Sequence, residues 1–174
     1  MSKFEKVLEK LNVHLDEKQL YQFQMYYEML IETNKVMNLT AITEYDEVVD
    51  KHFVDSLSLI QAVDLNQPLK VIDVGTGAGF PGIPLKIAFP ELKIVLLDSL
   101  NKRINFLNRV IEALQLTNIE TIHGRAEDFG RNPKYREQFD LCVSRAAANL
   151  STLSASSNKP DFPLLFAPVK LPFS

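Results

Sequence analysis

The stretch from Leu69 to Phe80 constrains this chain more than any other. A short apolar run, Leu69 to Val74, carries an acidic residue at Asp73 and then opens into Gly75, Gly77 and Gly79. Glycine permits positive φ and lets backbone N–H groups come close to a ligand without a Cβ in the way. Pro81 suits the first turn of a helix running toward Phe89. Strand, glycine turn and helix in that order open an α/β unit that binds a nucleotide-like ligand at the turn.

The same letters support two ligands. Gly77-Ala78-Gly79-Phe80-Pro81-Gly82 spells the dinucleotide fingerprint G-x-G-x-x-G. Read from four residues earlier, Asp73-Val74-Gly75-Thr76-Gly77-Ala78-Gly79 is D-x-G-x-G-x-G. A carboxylate just before the turn repels a pyrophosphate and favours a cation, and Pro81 falls inside the dinucleotide pattern. Both details favour S-adenosylmethionine, a sulfonium with an ammonium group and no phosphate. Asp98, at the end of the next apolar run, suits the ribose hydroxyls of either ligand. A helix-capping carboxylate is the plainer reading of Asp98.

Around this motif the chain alternates between strand and helix patterns. Leu92–Leu97 reads as a buried strand, Ile119–Ile122 and Phe139–Val143 as two more strands, and Leu100, Ile104, Leu107, Ile111 and Leu114 share one helical face. The alternation predicts an α/β, doubly wound, mostly parallel sheet. Residues 1–64 read as a helical extension packed on this core, and 65–153 as the ligand-binding domain. Within the extension, Asp16 with Gln19 resembles a capping box ahead of Leu20, Phe23, Tyr27, Leu30 and Ile31. Thr43 with Asp46 marks a second helix start, followed by Val49, Phe53, Leu57 and Ile60. Residues 154–174 hold Pro160, Pro163, Pro168 and Pro172 and are expected to be irregular.

Composition narrows the class. At 46% hydrophobic and 24% charged residues, the chain has the make-up of a globular protein, without an apolar run of membrane-spanning length or a signal-type start. One cysteine, Cys142, permits no internal disulfide, and the three histidines form no zinc-type cluster, so no metal is expected. A net charge of -3 does not suit a protein that coats nucleic acid indiscriminately. Basic residues nonetheless gather after the glycine turn: Lys102, Arg103, Arg109, Arg125, Arg131, Lys134, Arg136 and Arg145.

Candidate site residues cluster at predicted strand ends. Gly124-Arg125-Ala126-Glu127-Asp128 follows the third strand and either binds an adenine amino group or opens a helix as a charged turn. Arg145 follows the fourth strand, where a guanidinium needs a carboxylate, phosphate or base. Its plainer reading is an ion pair with Asp140 or Glu127. His52 and Asp55, three apart, share a helical face, and such pairs are more often structural than functional.

Four separate segments then agree with one family. Asn38-Leu39-Thr40, His52-Phe53-Val54-Asp55-Ser56-Leu57, Asp73 to Gly82 and Ser144-Arg145-Ala146 occur in this order and resemble the glucose-inhibited division protein B family, over residues 1 to about 153. The resemblance implies a class I, Rossmann-like methyltransferase that moves a methyl group from S-adenosylmethionine to N7 of one guanine in 16S ribosomal RNA, alone or within a small-subunit particle. It further implies a cytoplasmic monomer. It places cofactor contacts at Gly75, Phe80, Ala126, Glu127 and Arg145, beside the Asp73, Gly77, Gly79 and Asp98 read from the motif itself. Arg145 is also the candidate for positioning substrate. Because guanine N7 carries a free lone pair, no catalytic base is required.

After Ala148-Asn149-Leu150 the chain departs from the family pattern into Ser-, Asn- and Pro-rich sequence. A truncated or frameshifted product is the expectation, with the last strands of the sheet missing. Two alternatives accompany the methyltransferase: a cofactor-binding remnant without activity, and a dinucleotide-dependent oxidoreductase.

Overall fold

The computed structural model describes residues 2–135 and 138–145, together with the backbone of Leu164–Phe166. Helices α1 (Lys3–Lys10) and α2 (Glu17–Met37) come first. A continuous helical stretch follows: α3 (Tyr45–Val48), a π-helical segment Val49–Val54, α4 (Asp55–Leu57) and a 3-10 turn Ser58–Gln61. Then come β1 (Lys70–Val74), α5 (Gly82–Ala88), β2 (Lys93–Asp98), α6 (Asn101–Ala113), β3 (Ile119–His123), α7 (Ala126–Arg131), β4 (Leu141–Ser144) and β5 (Leu164–Phe166).

The five strands pair in parallel in the order β3-β2-β1-β4-β5. Alternate residues of each strand serve opposite faces. Val71, Ile94, Leu96, Leu141 and Val143 join one core with α5, α6 and the N-terminal helices. Ile72, Val74, Val95, Leu97 and Cys142 join a second core with Phe129 of α7. Helices therefore cover both faces, as the doubly wound reading requires.

β5 falls in the stretch for which an irregular chain was expected. Leu164-Leu165-Phe166 starts directly after Pro163 and pairs with Cys142, Val143 and Ser144. A proline just outside a strand removes no ladder hydrogen bond, so proline density alone did not forbid it. The rest of that stretch, with Arg136 and the Ala146 to Leu150 segment, lies outside the described residues.

The N-terminal helices are joined to the sheet by aromatic packing and by polar bonds. Phe4, Phe23, Phe53 and Tyr26 pack in sequence at centroid separations of 5.0–5.7 Å, and Tyr26 reaches Phe80 of the glycine turn at 5.4 Å. Each such pair is worth about 0.5–1.5 kcal/mol beyond burial. The Asp16–Gln19 capping box forms as expected, with bonds of 2.7 and 2.8 Å. Gln19 Nε2 also donates to Ile87 O at 2.8 Å, and Gln22 Nε2 donates to Leu114 O at 2.7 Å. One helix thereby satisfies end carbonyls of α5 and α6 that have no partner within their own helices. The helix start expected from Thr43 and Asp46 forms one residue later and without their capping bond. Glu44 is the N-cap of α3 without a side-chain bond, while the Thr43 carbonyl accepts from Tyr27 Oη at 3.1 Å.

Candidate functional site

β1 delivers Asp73 to the interior, fully buried. Its Oδ2 accepts from Thr76 Oγ1 at 2.7 Å and from the Gly82 backbone N–H at 2.8 Å. Both donors belong to the turn or to the start of α5, so this carboxylate holds the loop in shape. Asp73 Oδ1 is buried and has no hydrogen-bond partner among the described residues. Desolvation outweighs these bonds and raises the carboxyl to about 7.

Gly75, Gly77 and Gly79 all adopt positive φ. The Gly75 and Thr76 N–H groups bond to Leu97 O at 2.8 and 3.1 Å, extending the β1–β2 ladder into the turn. From β2, Asp98 reaches the same turn: its Oδ2 accepts from Gly77 N at 2.9 Å and its Oδ1 from Leu100 N at 2.9 Å. Arg103 Nη1 stands 3.6 Å from Asp98 Oδ2. Asp98 is not the helix cap: Leu100 is the N-cap of α6 and has no side-chain cap bond, so one Asp98 oxygen fixes the approach to the helix while the other braces the glycine turn.

A cleft of about 430 Å³ opens at the carboxyl ends of β1, β2 and β3, lined by Val74, Gly75, Leu97, Asp98, Ser99, Gly124, Arg125, Ala126 and Glu127. Its size suits a small organic ligand. Of the residues singled out in the sequence, Gly75, Asp98, Ala126 and Glu127 meet here. Asp73, Gly79 and Phe80 lie behind the turn instead. Gly79 is buried under it, and Tyr26 Oη, a residue the sequence reading passed over, donates to Ala78 O at 2.6 Å.

Arg145 comes in from the other side. β1 and β4 pair in parallel as far as Asp73 and Val143, so Arg145 follows β4 at the same end of the sheet where Gly75 follows β1. Its partners are neither Asp140 nor Glu127. Asp140 sits at the opposite end of β4 and accepts from Lys70 N at 2.9 Å, while Glu127 belongs to α7 across the sheet. Arg145 turns instead to the π-helical segment and α4. Nε lies 3.4 Å from Asp55 Oδ2, Nη1 is 3.2 Å from His52 Nδ1, and Nη2 donates to Lys51 O at 2.9 Å. The guanidinium carbon is 5.5 Å from the centroid of Phe80, and His52 stacks on that ring at 4.4 Å with 14° between planes. Burial, reinforced by the Arg145 charge, lowers His52 to about 4. His52 and Asp55, read as a structural pair, are the residues that hold Arg145.

Residues 19–161 match the profile of the family described as GidB, rRNA small subunit methyltransferase G. The chain belongs to this family. It is 56% identical over 153 residues to the ribosomal RNA small subunit methyltransferase G of Lachnoclostridium phytofermentans, covering 88% of this chain and 63% of that protein. Over 131 residues it is 62% identical to the protein of the same name from a Thermoanaerobacter species, covering 75% of this chain and 55% of the relative. The chain therefore spans less than two thirds of these relatives' length. Among solved structures, a SAM-dependent methyltransferase from Aquifex aeolicus aligns with a TM-score of 0.50 at 21% identity, over 64% of this chain and 60% of the other. A protein of Methanococcus maripaludis described as an S-adenosyl-L-methionine-dependent methyltransferase aligns with 0.52 at 19%, over 75% and 55%. These two likenesses establish the Rossmann-like fold of this family member. Its membership sets aside the oxidoreductase alternative.

Proposed function

We propose that this chain binds S-adenosylmethionine in the cleft at the carboxyl ends of its strands and serves methyl transfer to N7 of a guanine in 16S ribosomal RNA. The observation that carries this reading is the pair of carboxylates built into the glycine turn, Asp73 behind it and Asp98 across it. Two buried acids beside the turn disfavour a pyrophosphate and favour a ligand whose charge is positive. Gly75, Asp98, Ala126 and Glu127 hold the adenosine part, with Asp98 available to the ribose hydroxyls. Gly77, Gly79 and Phe80 shape the turn. Asp73 supplies negative charge behind the ammonium, and Arg145 takes the carboxylate of the amino-acid part. When bound, S-adenosylmethionine supplies an electrophilic methyl group on a sulfonium. The chain's own contribution is orientation: guanine N7 needs no proton removed, so alignment accounts for catalysis without a general base.

In this reading the protein is a cytoplasmic monomer acting on ribosomal RNA, alone or in a small-subunit particle. No helix among the described residues is long and apolar enough to cross a membrane. The test pairs titration with S-adenosylmethionine against incubation with labelled cofactor and small-subunit RNA. Saturable binding with label on one guanine is the expected result. Binding without label supports the cofactor-binding remnant. Absence of binding refutes the site.

A further inference from the structure

We infer that His52, held in one tautomer by Thr40, is a positioning residue that fixes the Arg145 guanidinium for the carboxylate of the cofactor. This rests on the cofactor reading of the cleft.

The proton positions follow from the partners. Arginine has five N–H donors and no acceptor. The His52 Nδ1 that meets Arg145 Nη1 at 3.2 Å must therefore offer its lone pair. The ring proton then resides on Nε2, which donates to Thr40 Oγ1 at 2.9 Å. Thr40 is itself anchored: its N–H donates to Asn34 Oδ1 at 2.8 Å, and its Oγ1 accepts from Ile42 N at 3.1 Å. The chain Asn34–Thr40–His52–Arg145 runs from the end of α2 to the mouth of β4 without a donor meeting a donor. Burial keeps His52 neutral near physiological pH, so it orients the guanidinium without cancelling its charge.

The consequence lies in what Arg145 has left. His52 and the Lys51 carbonyl take one N–H from each terminal nitrogen. The other N–H of each terminal nitrogen has no partner among the described residues. These remaining donors are what Arg145 can offer to the oxygens of a carboxylate. Arg145 leaves β4 at the same end of the sheet where Gly75 leaves β1, the end that the amino-acid part of a ligand crossing the turn would reach. Asp55, with Oδ2 3.4 Å from Nε, adds an ion pair to this arginine.

A purely structural brace would serve every ligand alike, and that separates the two roles. The experiment titrates the full chain calorimetrically with S-adenosylmethionine and with decarboxylated S-adenosylmethionine, which differ only in the carboxylate. Wild type should prefer the former. His52→Gln moves the amide toward Thr40, withdraws the acceptor from Arg145, and should weaken S-adenosylmethionine about tenfold, the worth of a lost charge-assisted bond. It should leave the decarboxylated ligand within about twofold. His52→Asn keeps an acceptor near the Nδ1 position and should retain most of the preference. Thr40→Val, which frees the tautomer, should lose part of it. Equal weakening of both ligands in His52→Gln, or no change in either, overturns the inference. Failure of wild type to bind either ligand overturns the cofactor site itself, and this inference with it.

Discussion

Gly82 donates its backbone N–H to Asp73 Oδ2 at 2.8 Å, so the helix after the turn begins on a bond to the strand before it. A Cβ at Gly82 would stand 2.9 Å from that same oxygen and would clash with Leu96 Cδ2. Gly82→Ala must therefore displace the Leu96 side chain and loosen the Asp73 bond, at a cost of about 1–3 kcal/mol for overpacking. For a chain of this size each kcal/mol lowers the melting temperature by roughly 2–4 °C. Gly77→Ala is the control: a Cβ there meets nothing within 4 Å, although φ is +63°. Only the left-handed backbone penalty of about 1–2 kcal/mol applies. Thermal melts should rank Gly82→Ala below Gly77→Ala, and the reverse order would show that the β1–α5 contact is slack.

Tyr26 spans the layer between the extension and the turn. Its hydroxyl donates to Ala78 O at 2.6 Å, and the ring packs on Phe53 and Phe80 at 5.7 and 5.4 Å. Tyr26→Phe keeps the ring and leaves a carbonyl of the glycine turn short of its donor. The expected loss is about 1–3 kcal/mol, the penalty for orphaning a buried polar group. Urea denaturation measures it, and an unchanged midpoint would mean that the Ala78 carbonyl finds another donor.

The half of the site that lies along β1 and β2 is written locally. Asp73, Gly75, Gly77 and Gly79 sit within seven residues, and Asp98 ends the next apolar run. The half around Arg145 is not. His52 and Arg145 are 93 positions apart and meet only because the π-helical segment and α4 bring Lys51, His52 and Asp55 to the end of β4. No spacing rule carries that. The π segment has a local mark only in hindsight, the Ser56 hydroxyl donating back to the His52 carbonyl. The parallel sheet was legible because β1, β2 and β4 are buried, largely apolar runs bounded by turn residues. β5 was not, because three residues between prolines are too few for a pattern.

His52 makes acid stability a test of the buried ring. Its ordinary value is 6.5 and the fold lowers it to about 4. Above pH 6.5 neither the folded nor the unfolded chain protonates the ring, and it contributes no pH dependence. As pH falls from 6.5 toward 4 the unfolded chain takes the proton first, so stability is lost across this window. His52→Asn removes the titration. Its stability relative to wild type should rise as pH falls from 6.5 to 4, by at most about 1.4 kcal/mol per pH unit. Chemical denaturation at intervals of pH measures the difference, and a flat difference would place the ring in contact with water.

Asp73 predicts the opposite slope, together with a split between stability and binding. The fold raises its carboxyl from 3.8 to about 7, chiefly by desolvation. Between those values the folded chain holds a proton that the unfolded chain has lost, so this group adds stability as pH falls from 7 toward 4. Above pH 7 the protein carries the cost of a buried charge. Asp73→Asn can keep an oxygen for Thr76 and Gly82, and it removes that cost. It should be as stable as wild type or more so at pH 8, with the advantage shrinking toward pH 4. The same charge is what a cationic ligand would use. Wild-type affinity for S-adenosylmethionine should therefore rise as pH increases through about 7, while Asp73→Asn should bind more weakly at pH 8 and show no such rise. Titrations of both proteins at pH 6 and pH 8 check this, and a variant that binds as tightly as wild type at pH 8 would reduce Asp73 to a brace for the turn.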